Sequence, residues 1–168
     1  MLPECASYLE MMDDLRRQVA GLITDLPAEA LNWRPIEGED DHVTNSLAVM
    51  AAHVAGAEHF WIHEVAGGQP PTRDRPAEFV TEVEGPETLL EKLKATGQET
   101  RQVMAALTAE DLASASQAHD RTVSMRWAIL HAIEHTALHL GHMNINYQLL
   151  ASGHAEESQR WVDRFNSL

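Results

Sequence analysis

From about residue 124 to 151 the chain carries a helical period with both sides of the helix occupied, and this constrains its fold more than any other feature. At 100° per residue, with Trp127 at zero, His131, His135, His139 and His142 fall at roughly 40°, 80°, 120° and 60°. Leu130, Ile133, Ala137, Leu140 and Tyr147 fall at roughly 200° to 300°, nearly opposite. A helix with a histidine stripe on one side and an apolar wall on the other is expected at the centre of a helical assembly. Ser152-Gly153 ends it with a good C-terminal signal.

Three more long segments share the period. The first, about 4–26, places Tyr8, Leu9, Met12, Leu15, Val19, Leu22 and Ile23 at spacings of three and four. The second, about 45–66, places Leu47, Met50, Ala51, Val54, Trp61 and Val65 on one side. The third, about 86–107, carries Leu89, Leu90, Leu93, Val103, Met104 and Leu107, with Pro86 suited to a first turn. A short tail over 158–166 is expected to add one more helix. No convincing period-two strand is visible. The expectation is an all-α chain, a four-helix bundle folded as one domain over 1–168. The segment 67–85, with Pro70, Pro71 and Pro76, reads as a long exposed crossover between helices two and three. The segment 109–123 reads as a shorter polar connection.

Charge and cysteine content narrow the partners. The 168 residues hold 12 Lys plus Arg against 26 Asp plus Glu, a net charge of −14. Nucleic acids and anionic membranes select basic surfaces, so neither is expected as a partner, whereas a bound cation is compatible. One cysteine, Cys5, excludes an internal disulfide and a cysteine-rich metal site. No apolar run approaches the roughly 18 residues a membrane span needs. The first residues lack the basic end and apolar stretch of a signal peptide, so a cytoplasmic location is expected.

The chain also repeats itself weakly. Leu26-Pro-Ala-Glu-Ala-Leu31 resembles Leu107-Thr-Ala-Glu-Asp-Leu112, each closing a long helix. Thr44-Asn-Ser-Leu47 resembles Thr122-Val-Ser-Met125, each opening the next helix with a serine placed to cap it. His53 and His131 stand seven residues after those serines. One reading is two related helix pairs about a pseudo-twofold axis, with helices two and four side by side and helices one and three outside. The other is coincidence among common boundary residues.

Ten histidines are present, and four lie between His131 and His142. Two histidines four apart on a helix lie one turn apart, within reach of one ion. Neutral imidazole suits zinc, nickel, copper and ferrous iron. Two such ligands hold a metal loosely, and His53 is the best candidate for a third. His59 and His63 are also four apart but point away from the apolar side of helix two, and read as surface residues. His42, His119 and His154 read as solvated. The string His131-Ala-Ile-Glu-His135 spells the H-x-x-E-H pattern of certain zinc proteases. Only 33 residues follow His135 to supply the further acidic ligand, and no strand framework for a peptide is visible. The protease reading is set aside.

The string His131-Ala-Ile-Glu-His135-Thr-Ala-Leu-His139-Leu-Gly141-His142 resembles helix four of the DinB-like (damage-inducible) superfamily, whose pattern is roughly H-x-x-x-H-x-x-x-H-x-G-Q. The stretch from Ser46 to Trp61 that contains His53 resembles its helix two, and Leu31-Asn-Trp-Arg-Pro35 also looks like the family. The match covers nearly the whole chain in order and spacing. The resemblance implies a bundle of four long helices in an unusual order, commonly a homodimer, with His53, His135 and His139 as the metal triad. The family usually has glutamine where His142 stands, so His142 is either a hydrogen-bonding substitute or a further ligand. His131 is the other candidate to support the ligands.

Characterised members of the family include transferases and isomerases that use thiols such as mycothiol or bacillithiol. The resemblance therefore implies a metal-dependent enzyme, zinc or nickel being the expected ion. The expected chemistry is S-transfer from a low-molecular-weight thiol to a small-molecule substrate. Hydrolysis and a non-enzymatic metal-binding or dimerisation module are the alternatives. Glu58 and Glu134 lie on the ligand helices as candidate acids or bases, with helix charge as their ordinary role. Imidazoles of ordinary pKa near ~6.5 would begin to protonate below about pH 6 and release the ion.

Overall fold

A computed structural model describes residues 1–36 and 44–151. His42, His154 and the tail over 158–166 lie outside the described residues. Four long helices form the bundle: α1 (Pro3–Ile23), α3 (Leu47–Glu58), α5 (Glu87–Ala106) and α7 (Met125–Leu150). Short helices α2 (Ala28–Asn32), α4 (Arg75–Phe79) and α6 (Ala109–Ala113) fill the connections. The α3 helix continues into a π-helical segment, His59–Ala66. Before α7 stands a hairpin, β1 (Ala115–Ala118) paired antiparallel with β2 (Arg121–Ser124). The periodicity marked the four long helices within a few residues, but 109–123 is a helix and a hairpin rather than an irregular connection. No described helix is long and apolar enough to cross a membrane.

The helix starts follow from local chemistry. Ser46 and Ser124 each accept a hydrogen bond from the backbone N–H three residues on, at Val49 and Trp127. These are the two serines that the repeat placed as caps. The two repeated Leu-x-Ala-Glu-x-Leu strings form α2 and α6, each helix beginning two residues after the first leucine. The units α1–α2–α3 and α5–α6–α7 thus follow one plan. In space α3 packs on α7 and α5, and α1 packs on α5 and α7. Helices two and four are neighbours, as expected. Helices one and three do not flank them separately, because α1 and α5 also touch and close a four-sided ring. In that ring α1 and α3 are diagonal, as are α5 and α7.

Centrality belongs to α3 rather than to α7. Every residue from Leu47 to Glu58 is buried, and six of the twelve are alanine or glycine, which lets three elements approach at once. On α7 the buried residues Ala128, Ile129, Ala132, Ile133, Thr136, Leu140, Met143 and Asn146 centre near ~170° on the wheel. Leu130 and Ala137, assigned above to the apolar wall, are exposed. So the third face of α7 is open, and the histidine stripe lies on the flank of the core face that meets α3.

The core divides in two. One cluster joins Cys5, Leu9, Met12, Trp61, Met104 and Ile129; the other joins Val19, Ile23, Leu31, Val54, Leu93 and Met143. Each fully buried large side chain contributes roughly 1.5–3 kcal/mol. Between the clusters runs a buried polar layer. Arg16 of α1 donates to Glu58 of α3 and to Asp13, and Thr100 of α5 donates to Glu58. Burial raises the Glu58 carboxyl pKa, opposed by the Arg16 charge and the Thr100 hydrogen bond.

Candidate metal centre

His53, His135 and His139 converge where α3 meets α7. One ring nitrogen from each lies within 4.8 Å of the others. The Nε2 atoms of His53 and His135 stand 3.2 Å apart. Two nitrogens on one tetrahedral ion with bonds of about 2.1 Å stand about 3.4 Å apart, so that pair already has the spacing a shared ion requires. The one-turn spacing of His135 and His139 holds their rings 4.5 Å apart, and the His53 ring is 4.9 and 5.0 Å from them.

The fourth member of this cluster comes from the crossover. Glu78 of α4 is 2 % exposed, and its Oε2 lies 2.8 Å from His53 Nδ1. A carboxylate only accepts, so Nδ1 carries the proton and the lone pair of neutral His53 sits on Nε2, facing the other rings. Arg73 holds Glu78 in turn, from Nε at 2.6 Å and from Nη2 at 2.8 Å. Burial pushes the Glu78 carboxyl pKa up. The hydrogen bonds from Arg73 and His53, with the Arg73 charge, outweigh it and hold the group below the usual carboxylate range. Gly56, three residues past His53, makes the room, because a Cβ there would collide with the Glu78 carboxylate.

Burial, reinforced by the neighbouring imidazoles, lowers the His135 pKa to about 3. Burial, with His53 and His142 nearby, lowers the His139 pKa to about 4. Both rings are therefore neutral across physiological pH, which is the state that binds metal. The expected onset of protonation below pH 6 is corrected downward for these two. Among the described residues, the buried Nδ1 atoms of His135 and His139 have no hydrogen-bond partner. Three imidazoles, two held neutral by burial and one fixed through Nδ1 by Glu78, form a donor set that fits a borderline transition ion.

The remaining expectations divide. His131 makes no hydrogen bond to the triad; its ring stacks on Trp127 at 4.7 Å and meets Trp61 edge-on at 5.0 Å. His142 is exposed, 5.6 Å from His139 between ring centres. His59 is not a free surface residue: Nδ1 lies 2.7 Å from Glu99 and Nε2 2.8 Å from Thr72, tying the π-helical segment to α5 and to the crossover. His63 stacks beside it at 4.9 Å. His119 is exposed at the hairpin turn, with φ of 53°, and stacks on Phe60 at 4.6 Å. Glu58 belongs to the Arg16 layer and Glu134 is exposed, so neither meets the triad. The crossover is not wholly exposed, since it delivers Arg73, Glu78 and Phe79 to His53. Asp74 followed by Pro76 was a readable start for α4, because Asp74 accepts from Ala77 N–H. Nothing in the sequence marked the burial of Glu78.

Comparison with known proteins agrees with this architecture. A conserved protein from Enterococcus faecalis, solved by crystallography, superposes with a TM-score of 0.71 at 14% identity, covering 90% of this chain and 99% of that one. That likeness concerns the fold. No curated protein matches the sequence significantly. The family model of the DinB superfamily matches residues 11–143, a span that includes all three converging histidines and Glu78. The chain therefore belongs to the DinB superfamily.

Proposed function

We propose that His53, His135 and His139 bind a divalent ion, zinc or nickel, and that the site activates a low-molecular-weight thiol for transfer of its sulfur to a small-molecule electrophile. The observation that carries this reading is the convergence of three imidazoles, two of them kept neutral by burial and the third held through Nδ1 by Glu78, which turns its Nε2 toward the others. The ion would supply positive charge that lowers the pKa of a neighbouring thiol or water. Three protein donors leave a position open for such a ligand. Glu78, fixed by Arg73, keeps His53 in one ring orientation, and Phe79 shields that ring at 4.9 Å. In the reaction the thiol gives its proton to solvent. Its sulfur forms a bond to the electrophilic carbon, and the leaving group departs with the bonding electrons.

The test is metal analysis of untagged protein, followed by turnover of electrophiles with and without thiol. Thiol-dependent product that is lost in His135→Ala supports the reading. Ester turnover without thiol would replace it with hydrolysis, and stoichiometric metal with neither turnover would replace it with a binding module.

We also propose a homodimer formed through the open face of α7. Leu138, Ile145 and Leu149 are each more than half exposed on that face. A run of large apolar residues along one helix is the kind of surface a second copy covers. Sedimentation equilibrium of wild type and Leu138→Glu checks it: a dimer that becomes monomer is expected, and a monomeric wild type refutes it.

A further inference from the structure

We propose that the thiol recognised at this site carries a negative group, bound by Arg75 and Arg121; the inference rests on the thiol reading above and specifies its ligand. With 12 basic residues against 26 acidic ones, the chain repels anions at long range. A site that selects an anion must therefore concentrate cations locally. All three arginine–aromatic contacts among the described residues lie around the triad. Arg73 stands 5.8 Å from the Phe60 ring centre, Arg75 4.9 Å from Phe79, and Arg121 4.4 Å from Trp127. Arg73 is neutralised by Glu78. Arg16, Arg17, Arg101 and Arg126 each pair with a carboxylate elsewhere. Arg75 and Arg121 are exposed and, among the described residues, have no acidic partner. Among the described residues Arg34 also lacks a carboxylate, but it donates to the Phe79 carbonyl, whereas Arg75 and Arg121 are exposed with their guanidinium groups resting on aromatic rings.

Each is linked to a ligand ring through an aromatic side chain. Phe79, under Arg75, is 4.9 Å from His53. Trp127, under Arg121, stacks on His131 at 4.7 Å, and His131 is 5.9 Å from His135. One cation thus comes from α4 and the other from β2, on elements that flank the triad. A guanidinium resting on a ring keeps its edge N–H groups available, and that edge matches a carboxylate or sulfonate in bidentate fashion. The thiol end of the ligand would reach the triad while its anionic end meets an arginine, with Phe79 or Trp127 against the carbon chain between.

The test uses cobalt-loaded protein and three thiols of equal length: mercaptopropanesulfonate, mercaptopropanol and aminopropanethiol. Sulfonate is a poor metal ligand, so preference for it reports the protein. Thiolate binding is read from the thiolate-to-cobalt absorption band, and anion binding from tryptophan fluorescence titrated with propanesulfonate. The expected result is that the sulfonate thiol binds at least about tenfold tighter than the alcohol, with the amine weakest. Arg75→Gln and Arg121→Gln should each remove much of that preference and leave mercaptopropanol affinity within about twofold of wild type. Equal binding of the three thiols, or a preference that both variants retain, overturns the inference and leaves the thiol reading standing. No cobalt band with any thiol, but a propanesulfonate response lost in the arginine variants, overturns the thiol reading and keeps the anion site. Absence of both signals overturns both.

Discussion

Replacing Glu78 by Gln separates what the crossover does for the triad from what it does for the fold. Two effects are expected. First, the amide accepts from His53 Nδ1–H without charge, and its own N–H groups oppose the donors of Arg73. Loss of such a partner behind a metal-binding histidine costs about 10–100-fold in metal affinity, or about 1.4–2.7 kcal/mol. Second, Arg73, whose side chain is 10% exposed, loses its carboxylate. Breaking a buried ion pair from one side costs about 3 kcal/mol, and for a chain of this size that lowers Tm by about 6–12 °C. Because any unstable variant binds metal less well, Glu58→Gln is the control. It removes the more buried of the two carboxylates on Arg16, which is similarly buried and keeps Asp13, away from the triad. Both variants should lose stability, and only Glu78→Gln should lose affinity, measured by competition with a chelator of known strength at a temperature where both are folded. Equal metal Kd in wild type and both variants would refute the role of Glu78. An equal loss in both would show that affinity merely follows stability.

Other outcomes follow from the same geometry. His135→Ala should abolish stoichiometric metal with helical content nearly unchanged, whereas His59→Ala should keep the metal, as read by metal analysis and circular dichroism. Gly56→Ala would ordinarily stabilise a helix by about 1 kcal/mol; here the new Cβ displaces the Glu78 carboxylate, so a lower Tm and weaker metal binding are expected. In the metal-free protein the folded pKa values of about 3 at His135 and about 4 at His139 lie below the unfolded value near ~6.5. The unfolded chain then takes up protons first as pH falls. Stability from these groups is complete above about pH 6.5 and is lost progressively down to about pH 3. Melting curves from pH 7 to 4 should show this fall, and His135→Ala should flatten it.

The features legible in the sequence were those set by local spacing. Four apolar periods located the long helices, and two serines located the starts of α3 and α7. The one-turn separation of His135 and His139 already placed them together. What stayed hidden depends on other causes. Strands of four residues with the sequences Ala-Ser-Gln-Ala and Arg-Thr-Val-Ser carry too few apolar positions for a period-two signal. The π-helical segment differs from an α-helix by a shift of backbone hydrogen bonds, and no residue pattern in His59–Ala66 announces it. The wheel for helix four scored large side chains and so gave that helix the centre, while the alanines and glycine of α3 owe their burial to how closely three neighbours approach.

Gly56 shows where local and tertiary causes join. A glycine inside a helix costs about 1 kcal/mol relative to alanine, so its presence in α3 asks for a reason from outside the helix. That reason is Glu78, 22 positions later, whose carboxylate fills the volume a side chain would take. Gly56 and His53 are three apart and therefore share a face of α3. The absent Cβ and the ligand ring open onto the same space, and one acidic residue occupies it while holding the ring. Arg73, five residues before Glu78, neutralises the charge that this places in the interior. Each of the three residues gives a different support: the glycine makes space, the glutamate sets the tautomer, and the arginine makes a buried anion tolerable. The crossover is thus part of the candidate metal centre. Its length serves the distance from the end of the π-helical segment back to His53, which a short loop between helices two and three would not span.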